Sequence, residues 1–551
     1  MRKKLVAMLL CVVFVLTALE GCSKPSGNDT ADTKDNSGAV TEDKTETAQE
    51  WKWPLAEKKE LSIWIVWQNE YLKNPNELKG VQQIEENTNV HINWNIVSSA
   101  EAAEKFSLMI ASGEYPDIIR GAEAFYSGGL TKMVDDGVSI DLTDKVDKYM
   151  PNYNGLRKSN DKLLRDTMSD TGKIVSLYTI ASKTGEVKGE RVWGGPSIRK
   201  DWLDETGLGI PVTIDDWHKA LTAIKERHPE CEAPLMLGKT ATNYYGAFTS
   251  AFGVLPEFYK DNSTVKYGPA EPGYKQWVET FRQWYAEGLI DPNFVSNDAS
   301  FISSGDFIGS GKAAAGPNVW GMTADIYKQM GYSKDENYWL SGAPYPVLNS
   351  GDTPQAGAAM SELVKETLVV TSACKDVELA LRYLDYYYTK ESMMLSSLGI
   401  EGESYVNNGD GTYSITDSLK AKVTDGTYPT VSEAVYTYSI GAASFGLYNW
   451  EMYDAIYEGN KATDAYDVWE NTKYDLLLPP TMTMTEEEAQ EYASLYISVQ
   501  TLVQENTVKF IMGTISMDSY DSFVENLHTY GIDRCIELKQ AALDRYNARG
   551  N

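Results

Sequence analysis

The chain has 551 residues, which is too long for a single hydrophobic core, so its length alone predicts at least two lobes. Hydrophobic residues make up 42% of the sequence and aromatic residues 11%, which is typical of a globular protein. The formal net charge of -29 argues against nucleic acid as a partner, because affinity for phosphate backbones requires clustered Lys and Arg.

The N-terminal residues have the pattern of an export signal. Basic residues at positions 2–4 precede an apolar run of about 15 residues, whereas a transmembrane helix needs roughly 20. The run ends in LEGC at positions 19–22, which resembles the lipobox of bacterial lipoprotein signal peptides, although Glu20 departs from that pattern. We expect residues 1–21 to be removed and Cys22 to carry lipid; the alternative is an ordinary secretory signal with a chance Cys.

The next segment, residues 22–50, contains no aromatic residue, no Leu and no Ile. Such a composition does not bury enough surface to offset chain entropy, so it predicts a disordered tether. No later apolar run is long enough to span a bilayer, and we therefore expect the remainder of the chain to lie outside the membrane.

Strand and helix patterns alternate in the first part of the remaining chain. A β-rich run at 60–67 precedes a polar helical pattern at 75–89, and an alternating strand at 90–97 precedes a helix at 100–114 that stops at Gly113. A short strand follows in YPDIIRG, residues 115–121. This order is typical of a parallel sheet covered by helices. Further amphipathic helices are predicted at 274–294, 376–388 and 523–546, and a β-turn is predicted at 407–413.

Seven motifs resemble, in their order, one protein family. They are LMIASGEYPDII (108–119), VDDGVSIDLTDKVDKYMPNY (134–153), the segment 197–229 that begins SIRKDWL, WYAEGLIDPNF (284–294), GKAAAGPNVW (311–320), LGIEGESYVNNGDGTY (398–413) and the segment 508–533 that begins VKFIMG. The chain is thereby similar to the extracellular solute-binding proteins (family 1 type) of carbohydrate ABC importers, in the lipoprotein branch of Gram-positive bacteria.

The resemblance implies an α/β, two-lobed periplasmic-binding-protein type II fold. Each lobe would be a mostly parallel sheet flanked by helices, with the ligand cleft between the lobes. The chain would cross between lobes near Gly194 to Ser197, return near Ala343 to Pro354 and cross a last time near Ser396. The expected first lobe is 51–194 plus 350–395, and the expected second lobe is 195–349 plus 396–551.

A sugar site needs aromatic plates beside short hydrogen-bonding side chains. The candidates are Trp67, Gln68, Asp117, Trp193, Trp320, Tyr448 and Trp450. Trp320 ends GKAAAGPNVW, where relatives place a Trp that stacks on a sugar ring, and core packing is its alternative. Trp67 and Gln68 follow the first strand, beyond whose C-terminal end ligands of parallel sheets bind, although Trp67 has the alternative role of capping the sheet.

The other candidates have competing structural roles. Asp117 begins a strand in a motif common to the family, but capping backbone donors is the role we favour for it. Trp193 precedes two glycines at the inferred hinge, so a place in the cleft and a place in the hinge are both open. Tyr448 and Trp450 fall in a loop of the expected second lobe, where facing the cleft and core packing are equally open. Arg199 is expected to form a structural ion pair with Asp201.

Standard enzyme and metal motifs are not found in the sequence. The four His show no H-E-x-x-H spacing, and GDFIGSGKAA (305–314) lacks the Walker spacing. The calcium loop that some relatives carry is missing after residue 229, so we expect neither metal nor cofactor. The 79 Asp and Glu leave open a glycosidase-type pair of carboxylates.

These observations favour a lipid-anchored receptor on the outer face of the cell membrane. It would act as a monomer that captures a carbohydrate, chiefly an oligosaccharide, and delivers it to the permease subunits of an ABC importer. It would do no chemistry, because lobe closure around the ligand is the mechanism. The alternatives are an exported polysaccharide-degrading enzyme and a solute-binding protein for a non-sugar ligand such as a peptide.

Overall fold

A computed structural model of the chain describes residues 51–550 apart from 184, 188–190, 193, 241–245, 298–305, 320–332, 356, 358, 441–444 and 459–461. Cys22, Trp193 and Trp320 lie outside the described residues, as does the predicted tether. None of the described helices combines the length and the apolar content needed to cross a bilayer.

The described strands lie in seventeen segments of two to eight residues. They are β1 (Lys59–Val66), β2 (Val90–Val97), β3 (Ile118–Arg120), β4 (Leu177–Lys183), β5 (Glu186–Val187), β6 (Arg191–Val192), β7 (Gly194–Arg199), β8 (Ala233–Leu235), β9 (Phe258–Asp261), β10 (Thr264–Tyr267), β11 (Ala313–Val319), β12 (Leu340–Gly342), β13 (Ala359–Met360), β14 (Leu363–Val370), β15 (Tyr405–Asn407), β16 (Tyr413–Ile415) and β17 (Leu447–Asn449). The strands predicted at 60–67, 90–97 and within 115–121 are confirmed.

The described α-helices are α1 (Lys79–Thr88), α2 (Ala102–Ser112), α3 (Gly129–Asp135), α4 (Thr143–Tyr149), α5 (Pro151–Arg157), α6 (Asp161–Asp166), α7 (Lys200–Thr206), α8 (Ile214–Arg227), α9 (Ala247–Ser250), α10 (Pro272–Ala286), α11 (Asp306–Gly309), α12 (Val377–Tyr386), α13 (Lys390–Ser397), α14 (Asp417–Thr424), α15 (Val431–Val435), α16 (Glu451–Ile456), α17 (Ala462–Trp469), α18 (Glu486–Ile511), α19 (Tyr520–Thr529) and α20 (Ile532–Ala548). Short 3-10 helices lie at Pro75–Glu77, Ala122–Ala124, Gly268–Ala270, Phe294–Ser296 and Met517–Ser519. The single helix predicted at 523–546 is two helices, because Gly531 adopts a φ of 93° between α19 and α20.

The first lobe is built on a sheet in the order β17-β4-β14-β3-β1-β2, with β5 paired to β4. Strands β1, β2 and β3 are parallel, as their alternation with helices predicts, and β17 is parallel to β4. Strand β14 is antiparallel to both of its neighbours, β3 and β4. It runs the other way because it enters the sheet from the opposite lobe. The two-lobed α/β fold is therefore as expected, and this sheet is mostly parallel, because β1, β2, β3, β4 and β17 share one direction and only β14 and the short β5 run against them among the described strands.

The second lobe is built on a sheet in the order β12-β7-β11-β8. Strand β7 is antiparallel to both β11 and β12, whereas β11 and β8 are parallel. This sheet is mixed, since β7 arrives from the first lobe. Its core is rich in Trp, including the fully buried Trp217 and Trp277, and helices α18 and α19 join that core through Val499, Phe510 and Leu527.

Two strands cross between the lobes side by side. Strand β6 connects β4 to β7, β13 precedes β14, and the two pair in antiparallel fashion, Val192 with Ala359. The last crossing differs from the expected one near Ser396, because β17 pairs with β4 of the first lobe, Leu447 opposite Ile180. Tyr448 and Trp450 therefore belong to the first lobe. Sequence pattern missed this because β17 is three residues long and its partner is far away in the chain.

Candidate functional site

A cleft lies between the lobes, at the sheet edges where the chain passes from one lobe to the other. The carboxyl ends of β1, β2, β3, β4 and β17 lie at one edge of the first sheet, since these strands share one direction. In the second sheet, Gly194 at the start of β7 pairs with Val319 at the end of β11, which places both at the edge where β6 arrives. Ligands of α/β sheets bind beyond carboxyl ends of strands, so we name this region the inter-lobe cleft.

Trp67 and Gln68 lie at the first-lobe edge of the inter-lobe cleft. Trp67 donates its backbone N–H to the Val97 carbonyl over 3.1 Å. Its side chain is 9% exposed and packs in a cluster with Leu78 and Val81, which supports the sheet-capping alternative for this residue. Gln68 is exposed beside it and is free of that cluster. Of the two, Gln68 is the residue whose side chain faces solvent.

Asp117 lies at the opposite edge of the sheet, at the amino end of β3. Its Oδ2 accepts the Ser62 backbone N–H over 2.8 Å and the Ser62 hydroxyl over 2.7 Å. Its own backbone N–H donates to Ser62 Oγ over 2.9 Å. These bonds join β3 to β1 where Ile118 pairs with Ile63, so Asp117 serves the sheet as a cap.

Tyr448 and Trp450 are packed inside the first lobe. Tyr448 is 7% exposed and Trp450 is 1% exposed, with their ring centroids 5.2 Å apart in an edge-on arrangement. The Tyr448 hydroxyl is hydrogen-bonded to the Tyr453 hydroxyl, and burial raises the pKa of Tyr448 far above its ordinary value. Of the two roles that the sequence allows, cleft and core, both side chains have the core role.

The chain neighbours of Trp193 and Trp320 are paired with each other, although the two Trp lie outside the described residues. Gly194 and Val319 are opposite one another in β7 and β11. The glycines expected to supply unusual hinge angles, Gly194 and Gly195, have no positive φ. A Cβ on Gly195 would lie 2.6 Å from the Trp469 ring, so this glycine admits close packing instead.

One aromatic group at the edge of the cleft was not predicted from the sequence. Tyr71, 39% exposed, donates its hydroxyl to Glu433 Oε2 over 2.9 Å and meets the Tyr428 ring at a centroid distance of 5.1 Å. The carboxylate of Glu433 raises the pKa of Tyr71 to about 12. Asn69 fixes the loop, since its Oδ1 accepts the backbone N–H groups of Tyr71 and Leu72 over 2.8 and 3.0 Å. No sequence pattern near Tyr71 predicts this group, because Tyr71 and Glu433 are 362 residues apart in the chain.

Arg199 begins the second lobe with the ion pair that the sequence predicted. Its Nε donates to Asp201 Oδ1 over 2.9 Å, and its guanidinium lies 4.1 Å from the centroid of the Trp202 ring. The side chain is 2% exposed. Among the described residues, no group of three or more His, Cys, Asp and Glu is arranged to hold a metal ion.

A family model described as bacterial extracellular solute-binding protein matches residues 75–394. The fructooligosaccharide ABC transporter substrate-binding protein FusA of Streptococcus pneumoniae is 25% identical over 523 residues, which cover 90% of this chain and 92% of that protein. Lipoprotein LipO of Bacillus subtilis is 22% identical over 457 residues, which cover 81% of this chain and 84% of LipO.

The fold is similar to that of solved solute-binding proteins. The HMO-binding ABC-transporter-associated solute-binding protein of Bifidobacterium longum infantis superposes with a TM-score of 0.69 and 17% identity, over 89% of this chain and 99% of that one. The shared architecture is the two-lobed one described above.

Proposed function

Since the chain belongs to the family of bacterial extracellular solute-binding proteins, we propose that it captures an oligosaccharide outside the cell and delivers it to the permease of an ABC importer. The observation that carries the proposal is the match to a fructooligosaccharide-binding relative over 90% of this chain and 92% of the relative. A match of that extent includes both lobes and the crossings between them.

The sugar binds in the inter-lobe cleft and favours the closed arrangement of the lobes, because it contacts both lobes only when they close. In this proposal Trp320 and Trp193 supply aromatic plates from the second-lobe edge, and Gln68 supplies hydrogen bonds from the first-lobe edge. Tyr71, three residues after Gln68 in the chain, adds an exposed ring. The protein does no chemistry on the sugar. Its first lobe comprises 53–192 and 359–456, and its second lobe comprises 194–342 and 462–550.

The receptor is held at the outer face of the cell membrane by lipid on Cys22, and it acts as a monomer. LipO, a relative over 81% of this chain, is itself named a lipoprotein. Metabolic labelling with a fatty acid should mark the wild-type protein and the Cys374→Ala variant, since Cys374 is buried in the first lobe. The Cys22→Ala variant should lose the label, and labelling that survives this change would refute the anchor.

Titration of the purified protein with a panel of oligosaccharides, including fructooligosaccharides, tests the function. We expect one sugar to bind per chain, with calorimetric heat and with no shorter sugars released. Trp320→Ala should weaken binding by roughly 1–3 kcal/mol, the size of a lost aromatic contact. Tyr530→Ala is the matched control, because Tyr530 is 49% exposed at the junction of α19 and α20.

Two outcomes would contradict the proposal. Release of shorter sugars would identify an enzyme, and binding of peptides in place of every sugar tested would identify a receptor for a different solute. An unchanged affinity of Trp320→Ala would leave the receptor function standing and remove Trp320 from its site.

A further inference from the structure

A cavity of about 720 Å³ lies between the lobes, beside the crossing strands. The first lobe contributes Lys162 and Arg165 from the region of α6, and Ser361 between β13 and β14. The second lobe contributes the turn between β9 and β10, the segment 472–480 and α20. None of the predicted sugar-site residues within the described chain lines it. The volume falls within the range of about 300–1,000 Å³ that is usual for small-molecule sites.

The charge of the cavity wall is opposite to that of the protein. Among the described residues that line it, four are cationic, Lys162, Arg165, Lys260 and Lys473, and one, Asp475, is carboxylic. The whole chain carries a net charge of -29, so a concentration of cations in one cavity stands out from the rest of the sequence. Such a wall attracts anions from solution.

Two of these cations, Lys162 and Lys260, have partners within the protein. Lys162 Nζ lies 3.2 Å from Asp166 Oδ2 and 3.8 Å from Glu362 Oε2, and Lys260 Nζ donates to the Asp475 carbonyl over 2.6 Å. In contrast, Arg165 Nε is buried and has no hydrogen-bond partner, and Lys473 is exposed and forms no ion pair with any described residue. A buried N–H group without a partner is unfavourable, and an oxyanion seated in the cavity would supply one.

The remainder of the wall is apolar and aromatic. Leu477, Leu478, Pro479 and Leu543 form the apolar surface, beside the ring of Tyr546. An inorganic ion would leave most of this volume unfilled, whereas an organic molecule with one charged end would cover the apolar surface and neutralise the cations. We propose that the cavity, which none of the described sugar-site candidates lines, is a second binding site for a small organic anion with a carboxylate, sulfonate or phosphate group on an apolar or ring body.

An anion in this site touches both lobes. It therefore binds best to the lobe arrangement that brings Arg165 and Lys473 to the same cavity, and it stabilises that arrangement by mass action. The site is coupled to the sugar site by the same change of lobe arrangement, and the coupling is reciprocal.

The fluorescent probe 1-anilinonaphthalene-8-sulfonate has this chemistry, since it joins a sulfonate to an aromatic body. We expect the full chain to bind one probe molecule with a rise in fluorescence. The double variant Arg165→Gln with Lys473→Gln should bind it at least tenfold more weakly. Lys473→Gln alone should show an intermediate loss, and its exposed position makes it a safeguard against misfolding of the double variant.

The matched control is the pair Lys275→Gln with Lys509→Gln, two lysines that form ion pairs with Asp521 and Glu505 away from the cavity. The control should bind the probe as the wild type does, and thermal melting checks that each variant is folded. Equal probe affinity of the wild type and both cavity variants would overturn the proposal. The proposal would also be overturned if sugar displaced the probe one for one and Lys473→Gln left the affinity for the probe unchanged. The probe would then occupy the sugar site.

Discussion

Replacing Asp170 with Asn should lower the free energy of unfolding by about 2–3 kcal/mol. Asp170 follows α6 in the first lobe, and its Oδ1 accepts Arg549 Nε over 2.7 Å, while its Oδ2 accepts the Thr483 hydroxyl over 2.8 Å. The Arg549 side chain is 2% exposed. We call the contacts of Asp170 with Arg549 and Thr483 the C-terminal clamp, because Arg549 and Thr483 belong to the second lobe.

The magnitude follows from what the substitution leaves behind. Removing one partner of a buried pair costs about 3–5 kcal/mol, since the other charge remains buried without compensation. Arg549 keeps a hydrogen bond from Nη2 to the Thr481 carbonyl at 2.9 Å, and the Asn side chain still offers one acceptor, so we place the loss at about 2–3 kcal/mol.

Urea unfolding followed by Trp fluorescence measures this loss. The matched control is Asp521→Asn, because Asp521 pairs with Lys275 over 3.0 Å but is 84% exposed. Exposed pairs contribute about 0–1 kcal/mol, so the control should differ little from the wild type. A loss for Asp170→Asn that is no larger than that for Asp521→Asn would refute the buried clamp.

Three further predictions concern single sites. Burial raises the pKa of Asp385 to about 6, so this carboxyl holds its proton longer in the folded state than in the unfolded state. The raised pKa therefore stabilises the fold fully below about pH 4, and this stabilisation is lost as the pH rises through 6. Across that window the free energy of unfolding of the wild type should fall by up to about 3 kcal/mol relative to that of Asp385→Asn. Urea titrations at several pH values measure this difference. Gly268→Ala should be strongly destabilising in thermal melting, because its Cβ would lie 1.7 Å from the Leu255 carbonyl oxygen, whereas Gly209→Ala, with no atom within 4 Å, should change stability by less than about 1 kcal/mol. Arg199→Lys should lower stability by about 1–3 kcal/mol, since Lys lacks the planar fork that binds Asp201 and stacks on Trp202; an unchanged melting temperature would contradict that role.

Local patterns predicted the parts of the fold that are held by local interactions. Strands β1 to β3 and helices α1 and α2 follow the apolar periodicity of their segments, and α2 ends at Gly113, which adopts a φ of 72°. The hairpin of β15 and β16 forms around the Asn- and Gly-rich turn at 407–413. In each case the residues that decide the structure are neighbours in the chain.

The features that local patterns missed all depend on distant partners. The pairing of β17 with β4 joins Leu447 to Ile180, and the C-terminal clamp joins residues that are 379 positions apart. No periodicity within either segment encodes such a partner, because a three-residue strand or a single Asp fits many surroundings equally well. For the same reason the sequence alone does not decide whether Tyr448 and Trp450 face the cleft or pack in the core.

The C-terminal clamp and the bound sugar both act on the equilibrium between the open and closed arrangements of the lobes. A sugar shifts the lobe equilibrium only by the difference between its affinities for the two arrangements. The clamp stabilises the arrangement that contains it, so Asp170→Asn should change sugar affinity in a direction that identifies that arrangement. Weaker binding, measured by calorimetry against Asp521→Asn, means that sugar and clamp favour the same arrangement, and tighter binding means that they oppose each other. An unchanged affinity would show that the lobes move without opening the contact between Asp170 and Arg549.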